Sequence, residues 1–220
     1  DCMQANTTGT QNVAVGSYSL DANTEGENNV AIGQSALGAN TTADDNTAMG
    51  SGALTTNTTG AANTGIGRAA LNANTTAANN TAVGYYALVA NTTGDTNVAV
   101  GKDSMKSNTT GTNNTAVGPR SLDANTTGTN NVAVGDMALG ANTTANNNTG
   151  IGTNALAANT TGGNNQGFGM YALALNTTGS NNTSVGYNAL GANTTANSST
   201  AVGFRAAQGI TTGTTNDFFG

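Results

Sequence analysis

Glycine returns every seventeen residues, from Gly16 through Gly33 and Gly50 to Gly203 and Gly220, and no insertion breaks the phase. Other columns keep the same step. Asn6 recurs through Asn193 and fails only at Ile210, and Thr7 recurs in every copy to Thr211. Leu20 recurs through Leu190, with Met105 as its one substitute, and gives way to Ala207. A fixed period of this kind is the signature of a repeat architecture, in which each unit buries its apolar face against its neighbours. Seventeen residues are too few for a two-helix repeat of about 33 or a propeller blade of about 40. They suit one coil of a parallel β-solenoid, expected here as two short strands joined by two turns.

The columns say how such a coil is built. Val13-Ala14-Val15 alternates, so the Ala14 and Val15 columns lie on opposite faces of a strand. The Ala14 column holds only Ala, Gly or Ser until Phe218, and the Val15 column only Val, Ile, Met or Phe. Small residues on one face imply a thin coil interior, shared with Leu20 and Leu88 of the leucine column. The Val15 face, with Val83, Val100 and Val117, is then left in need of a partner, and second and third chains are the expected ones. Asn-Thr-Thr-Gly is turn chemistry, and the Gly16 column marks the second corner. Ala stands for Gly9 at 43, 77, 145 and 196, so that column does not demand positive φ. Stacking repeats the columns about every 4.8 Å, which implies amide ladders of Asn6 and Asn12, each amide donating to the next coil, and a hydroxyl ladder of Thr7.

Stacked columns also account for a charged fraction of only 7% against the usual quarter or so, since like charges would face each other coil after coil. Five basic residues against eleven acidic ones argue against a nucleic-acid partner. There is no His, which excludes Ser-His-Asp and Cys-His catalysis and His-ligated metal. No catalytic residue, metal ligand or cofactor site is expected, and the carboxylates are too few near the turns for calcium-binding coils. A single Cys2 forms no internal disulfide; it falls in a small-residue column and is expected to be buried. No apolar run is long enough for a membrane-spanning helix.

The cores Asn28-Asn29-Val30-Ala31-Ile32-Gly33 and Asn113-Asn114-Thr115-Ala116-Val117-Gly118 resemble the head repeats of trimeric autotransporter adhesins. The longer unit, Asn-Thr-Thr-Gly-x-Asn-Asn-Thr-Ala-Val-Gly-x-x-Ala-Leu, is similar to repeats of phage tail-fibre and tail-fibre-like proteins. The resemblance covers essentially the whole chain. It implies a left-handed parallel β-roll of thirteen coils, three chains around one axis, in an adhesive or structural fibre outside the cell, at its surface or on a virion. The adhesin unit is about three residues shorter, and no stalk, anchor or chaperone segment appears among these 220 residues, so one segment of a longer fibre is expected. Residues 1–209 are expected to form the repeats, and 210–220, with Ile210, Asp217, Phe218 and Phe219, a degenerate last copy serving as cap or junction.

Recognition, if the segment has any, falls to the variable columns of Ser17, Tyr18 and Asp21. There stand Tyr18, Tyr85, Tyr86, Arg120, Tyr171, Tyr187, Phe204 and Arg205, with Tyr187 and Phe204 one coil apart. They suit a cell-surface glycan or a protein receptor; the same columns would equally suit packing against a neighbouring chain or plain solvent exposure. Eleven Asn-Thr-Thr triplets match the N-glycosylation sequon, which the turn explains without sugar. Two further readings stand beside the fibre segment: a self-assembling filament subunit, and an ice-binding solenoid presenting threonine ladders. Against the last, adjacent Thr7 and Thr8 on a strand would face opposite ways.

Overall fold

A computed structural model describes residues 1–220 as two compact units, Asp1–Thr110 and Gly111–Gly220. Each unit is a parallel β-solenoid, and the chain has no helix. The first unit carries β1 (Val13–Val15), β2 (Val30–Ile32), β3 (Thr47–Met49), β4 (Thr64–Ile66), β5 (Thr81–Val83) and β6 (Val98–Val100). They pair in chain order, each in parallel with the next and seventeen residues apart, so that Val13, Ala14 and Val15 lie beside Val30, Ala31 and Ile32. The second unit repeats the arrangement with β7 (Thr115–Val117), β8 (Val132–Val134), β9 (Thr149–Ile151), β10 (Gln166–Phe168), β11 (Thr183–Val185), β12 (Thr200–Val202) and β13 (Asp217–Phe219). The last copy, for all its degeneracy, keeps the register, with Thr200 beside Asp217 and Val202 beside Phe219.

Each coil has one strand, not the expected two. The flank that follows the glycine corner is a run of turn residues in which left-handed conformations alternate with ordinary ones. In the second coil Ser35 has φ 56° and Leu37 φ 50°, and the same two columns repeat these values along the chain. The alternation turns successive N–H groups toward opposite neighbours. Ser35 donates to Ser17 of the preceding coil, whereas Leu37 and Ala39 donate to Ala53 and Thr55 of the following one. The backbone is thereby hydrogen-bonded between coils without β conformation. A third left-handed position is the column of Gln11, Asn28 and Asp45, where the frequent Asn accepts that conformation with least strain.

The interior is as thin as the small Ala14 column implies. Leu37, Leu54, Leu71 and Leu88 are fully buried in the first unit, as are Leu139, Leu156 and Leu173 in the second. They press on the strand's small residues: a Cβ added at Gly65 would lie 3.3 Å from Leu54 Cγ, and one at Gly150 3.3 Å from Leu139 Cγ. At the second corner Gly67 has φ 132°, and a Cβ there would come within 2.7 Å of the Gly84 carbonyl carbon. Two constraints therefore exclude every other residue, backbone conformation and lack of room.

The asparagine columns are buried from Asn23 through Asn193 and from Asn29 through Asn182, and the Asn6 ladder runs in a direction opposite to the expected one. Asn40 donates its amide to Asn23 Oδ1 of the preceding coil at 2.9 Å and to Ala43 O at 3.0 Å. The Asn12 column works differently. Asn29 Oδ1 accepts the backbone N–H of Asn46 at 2.9 Å, while Asn29 Nδ2 donates to Ala43 O at 2.8 Å. Two amides thus converge on one turn carbonyl. The first ladder ends at Asn193, because Ile210 has nothing to donate; Asn193 Oδ1 instead accepts the N–H of Ala196 at 3.0 Å. The threonine ladder is also not hydroxyl to hydroxyl: Thr24 Oγ1 donates to the Thr41 backbone carbonyl at 3.1 Å.

Candidate functional site

Two surfaces stand out on this scaffold. The first is the outward face of the strands. Because the Ala14 column points inward, the Val13 and Val15 columns both point out. Val15 and Val117 are exposed, at 56% and 37%, and Val83 and Val100 are half-buried. Met49 and Ile66 extend this apolar stripe in the first unit, and Ile151 and Val185 stand in the same column of the second. Leu20 and Leu88, by contrast, belong wholly to the coil interior. The Val13 column, with Thr47, Thr64 and Thr81, widens this face, as the alternation of the strand implies.

The second surface is the flank just past the glycine corner, where the Ser17 and Tyr18 columns face outward. Tyr18, Tyr85, Arg120, Tyr171, Phe204 and Arg205 are exposed there, and Tyr86 and Tyr187 half-buried. They do not form one site. Tyr18 stands alone, and Arg120 pairs with Asp136 at 3.2 Å. In the first unit the Tyr85 and Tyr86 rings meet at 60°, with Arg68 above both, 5.7 and 5.9 Å from their centroids. The Tyr86 phenol, by hydrogen bonding first and burial second, raises the Tyr85 hydroxyl above its ordinary pKa of 10.0. Lys102 and Lys106 are both 3.9 Å from the Asp103 carboxylate in the next coil.

In the second unit Tyr187 and Phe204 stack nearly parallel, 5.4 Å apart at 14°, and Tyr171 meets Tyr187 edge-on at 6.2 Å. Arg205 lies along the pair, 5.2 Å from the Phe204 centroid and 5.9 Å from that of Tyr187. Next to them Leu175, Asn188, Gly191, Ala192 and Gln208 line an open groove of about 210 Å³. Nothing in the periodicity signals the groove, since the Gly191 column also holds Gly at Gly38 and Gly140.

Two sequence expectations are settled by geometry. The sequon asparagines from Asn40 onward are buried, and their amides are taken up in the ladder, so a sugar on Nδ2 would break the coil stack. Cys2 is exposed rather than buried. Thr7 and Thr8 sit in a turn rather than a strand; the Thr7-column hydroxyls are bonded to backbone, while Thr42 and Thr59 of the next column are exposed. No group of acidic residues and cysteine is clustered to hold a metal ion, and no helix is long and apolar enough to cross a membrane. Comparison with protein-family models, curated proteins and solved structures finds none that matches the chain.

Proposed function

We propose that the chain is a structural and adhesive fibre segment rather than an enzyme, a left-handed roll working as a homotrimer at a cell surface, in the extracellular space or on a virion. The observation that carries this reading is the apolar stripe of the Val15 column. Soluble monomers rarely leave a continuous apolar surface beyond a few hundred Å² in water, and here the interior is too thin to take these side chains in. Three chains, each turning its stripe to a common axis, would bury it. The polar flank with the tyrosines and arginines would stay outside, available for attachment to a glycan or protein receptor.

Light scattering tests the association directly. The expected mass is about three times the 21.4 kDa of the chain. The combined substitutions Val83→Asp, Val100→Asp and Val117→Asp should return it to one chain, because stacked carboxylates cannot be buried without large desolvation costs. A wild-type chain that runs as a monomer would remove the trimer, and a trimer unchanged in the triple variant would remove the stripe as its interface.

A further inference from the structure

We propose that the flank of the first unit carries a binding site for an acidic polysaccharide, built by Arg68, Tyr85, Tyr86, Lys102 and Lys106, with anionic groups at its two ends and the sugar between them on the tyrosines. The inference rests on the attachment reading and names its ligand class. Three of the chain's five basic residues fall in these three successive coils, in a protein whose net charge is −6. Arg68, Tyr85 and Lys102 succeed one another in a single outward column, and all three are exposed. Tyr85 has the coil of Arg68 on one side and that of Lys102 on the other, so the cluster owes nothing to a chain end.

The charge is available to a ligand. Arg68 forms no ion pair; its guanidinium lies over both tyrosine rings and gives one N–H, from Nη1, to Tyr85 Oη at 3.4 Å. The cation–π contact holds the side chain in place and leaves the other guanidinium donors for an anion. Lys102 and Lys106 share one carboxylate, that of Asp103, each at 3.9 Å, with 69% and 52% of their side chains exposed. Contacts so long and so wet hold the ammonium groups weakly, and two cations around one anion leave positive charge in excess. The other acid of this stretch, Asp95, follows the Asn91-Thr92-Thr93-Gly94 turn and accepts the Ala78 N–H at 2.7 Å.

Spacing and apolar surface select a saccharide among anions. Arg68 and Lys102 stand two coils apart, about 10 Å along the stack. That is the length of a disaccharide, so acid groups on alternate sugars meet one cation each. Tyr85, between them, is 39% exposed and offers a ring to the C–H bonds of a pyranose and a hydroxyl to its polar groups. A nucleic acid carries a phosphate on every unit and draws its affinity from many cations, against which the net negative charge works. An acidic peptide has no apolar ring face to lay on the tyrosines.

The test titrates the intact chain with a hyaluronan hexasaccharide, which carries a carboxylate on alternate sugars, and with its chondroitin sulfate counterpart, which adds sulfate on the sugars between. Chitohexaose is the neutral sugar and hexaglutamate the acid without a sugar. Binding is read by calorimetry and by saturation transfer from the aromatic protons. The expected result is saturable binding of at least one acidic hexasaccharide and of neither control, the two acids telling whether carboxylate suffices or sulfate is required. Arg68→Gln, Lys102→Gln and Tyr85→Ser should each weaken it by roughly tenfold. Thr59→Glu lowers the net charge by the same unit as either glutamine variant, in a column where Glu25 already stands, and should leave binding unchanged. All four side chains are exposed, and matching thermal melts of the variants exclude a loss of fold. No binding of either acidic sugar, equal binding of chitohexaose or hexaglutamate, or full affinity in Arg68→Gln would overturn the site. Cell attachment measured with the same variants separates the two readings. Attachment without acidic-sugar binding removes this inference alone, whereas sugar binding without attachment removes the adhesive function.

Discussion

Asn74 shows what a single residue carries in this architecture. It is fully buried, donates to Asn57 Oδ1 at 2.8 Å and to Ala77 O at 2.9 Å, and accepts from Asn91 at 3.0 Å. Asn74→Ala leaves buried partners unsatisfied and should cost about 2–4 kcal/mol in chemical denaturation. Asn74→Asp adds a pH signature. In the fold its carboxyl would face Asn57 Oδ1 and the Ala77 carbonyl away from water, which favours the protonated form and lifts its pKa above the unfolded value. The folded state then holds more protons than the unfolded one, so stability falls as pH rises. The variant should melt higher at about pH 4 than at about pH 7, where the acid of an unfolded chain is ionised. The wild type, whose buried polar side chains are amides and hydroxyls with no His, should not share that slope; a variant with a flat profile would mean that water reaches the ladder. Ala62 tests the left-handed column. At φ 56° it occupies a position that most coils fill with Asn or another polar residue, and Ala62→Asn should raise stability by about 0.5–1 kcal/mol.

At the scale of the element, the strand and the glycine corner were legible in the sequence and the opposite flank was not. Alternation at Val13-Ala14-Val15 and the size limit on the Ala14 column gave the strand, its inward face and the exposed Val15 stripe. Apolar Leu20 and Ala22, two residues apart, read equally well as a second strand. That reading failed because no intrinsic preference announces a leucine at φ 50°; only the bonds to coils on both sides hold it there. Column variability likewise marked the outward tyrosines and arginines. It did not show that Tyr187 and Phe204 stack with Arg205 beside them while Tyr85 and Tyr86 cross, because ring orientation depends on neighbouring side chains rather than on the period. The glycine corner permits a sharp comparison. Gly67→Ala meets both a φ of 132° and the Gly84 backbone and should cost about 3 kcal/mol or more. Gly52→Ala, at φ 73° with its nearest neighbour 3.5 Å away, occupies a column where Ser35 and Ala69 already stand and should cost under about 1 kcal/mol. Equal losses in a urea titration would show that the corner is not what restricts that column to glycine.

At the scale of the molecule, the absence of a shared centre decides how damage spreads. Within each unit a strand touches only the strands before and after it in the chain, and the leucine column is a single file in which Leu88 has Leu71 on one side and Met105 on the other. Stability in such a stack is close to a sum of coil terms and nearest-neighbour terms. Leu88→Ala removes a fully buried side chain from an interior with no bulk to collapse into the gap, so a loss of about 2–5 kcal/mol is expected. The loss should be local. In native-state hydrogen exchange, the amides of Leu71 and Leu88, which bond to Ala87 and Ser104, should lose the most protection. The amide of Leu20, bonded to Ala36 several coils away, should lose the least, because opening can start at the weakened coil without unzipping the far one. A uniform loss across Asp1–Thr110 would instead mean that this unit opens all at once. The additive picture would then fail, and the proposed association through the Val15 stripe, which would tie every coil to another chain, would be the first cause to test by repeating the exchange on the triple aspartate variant.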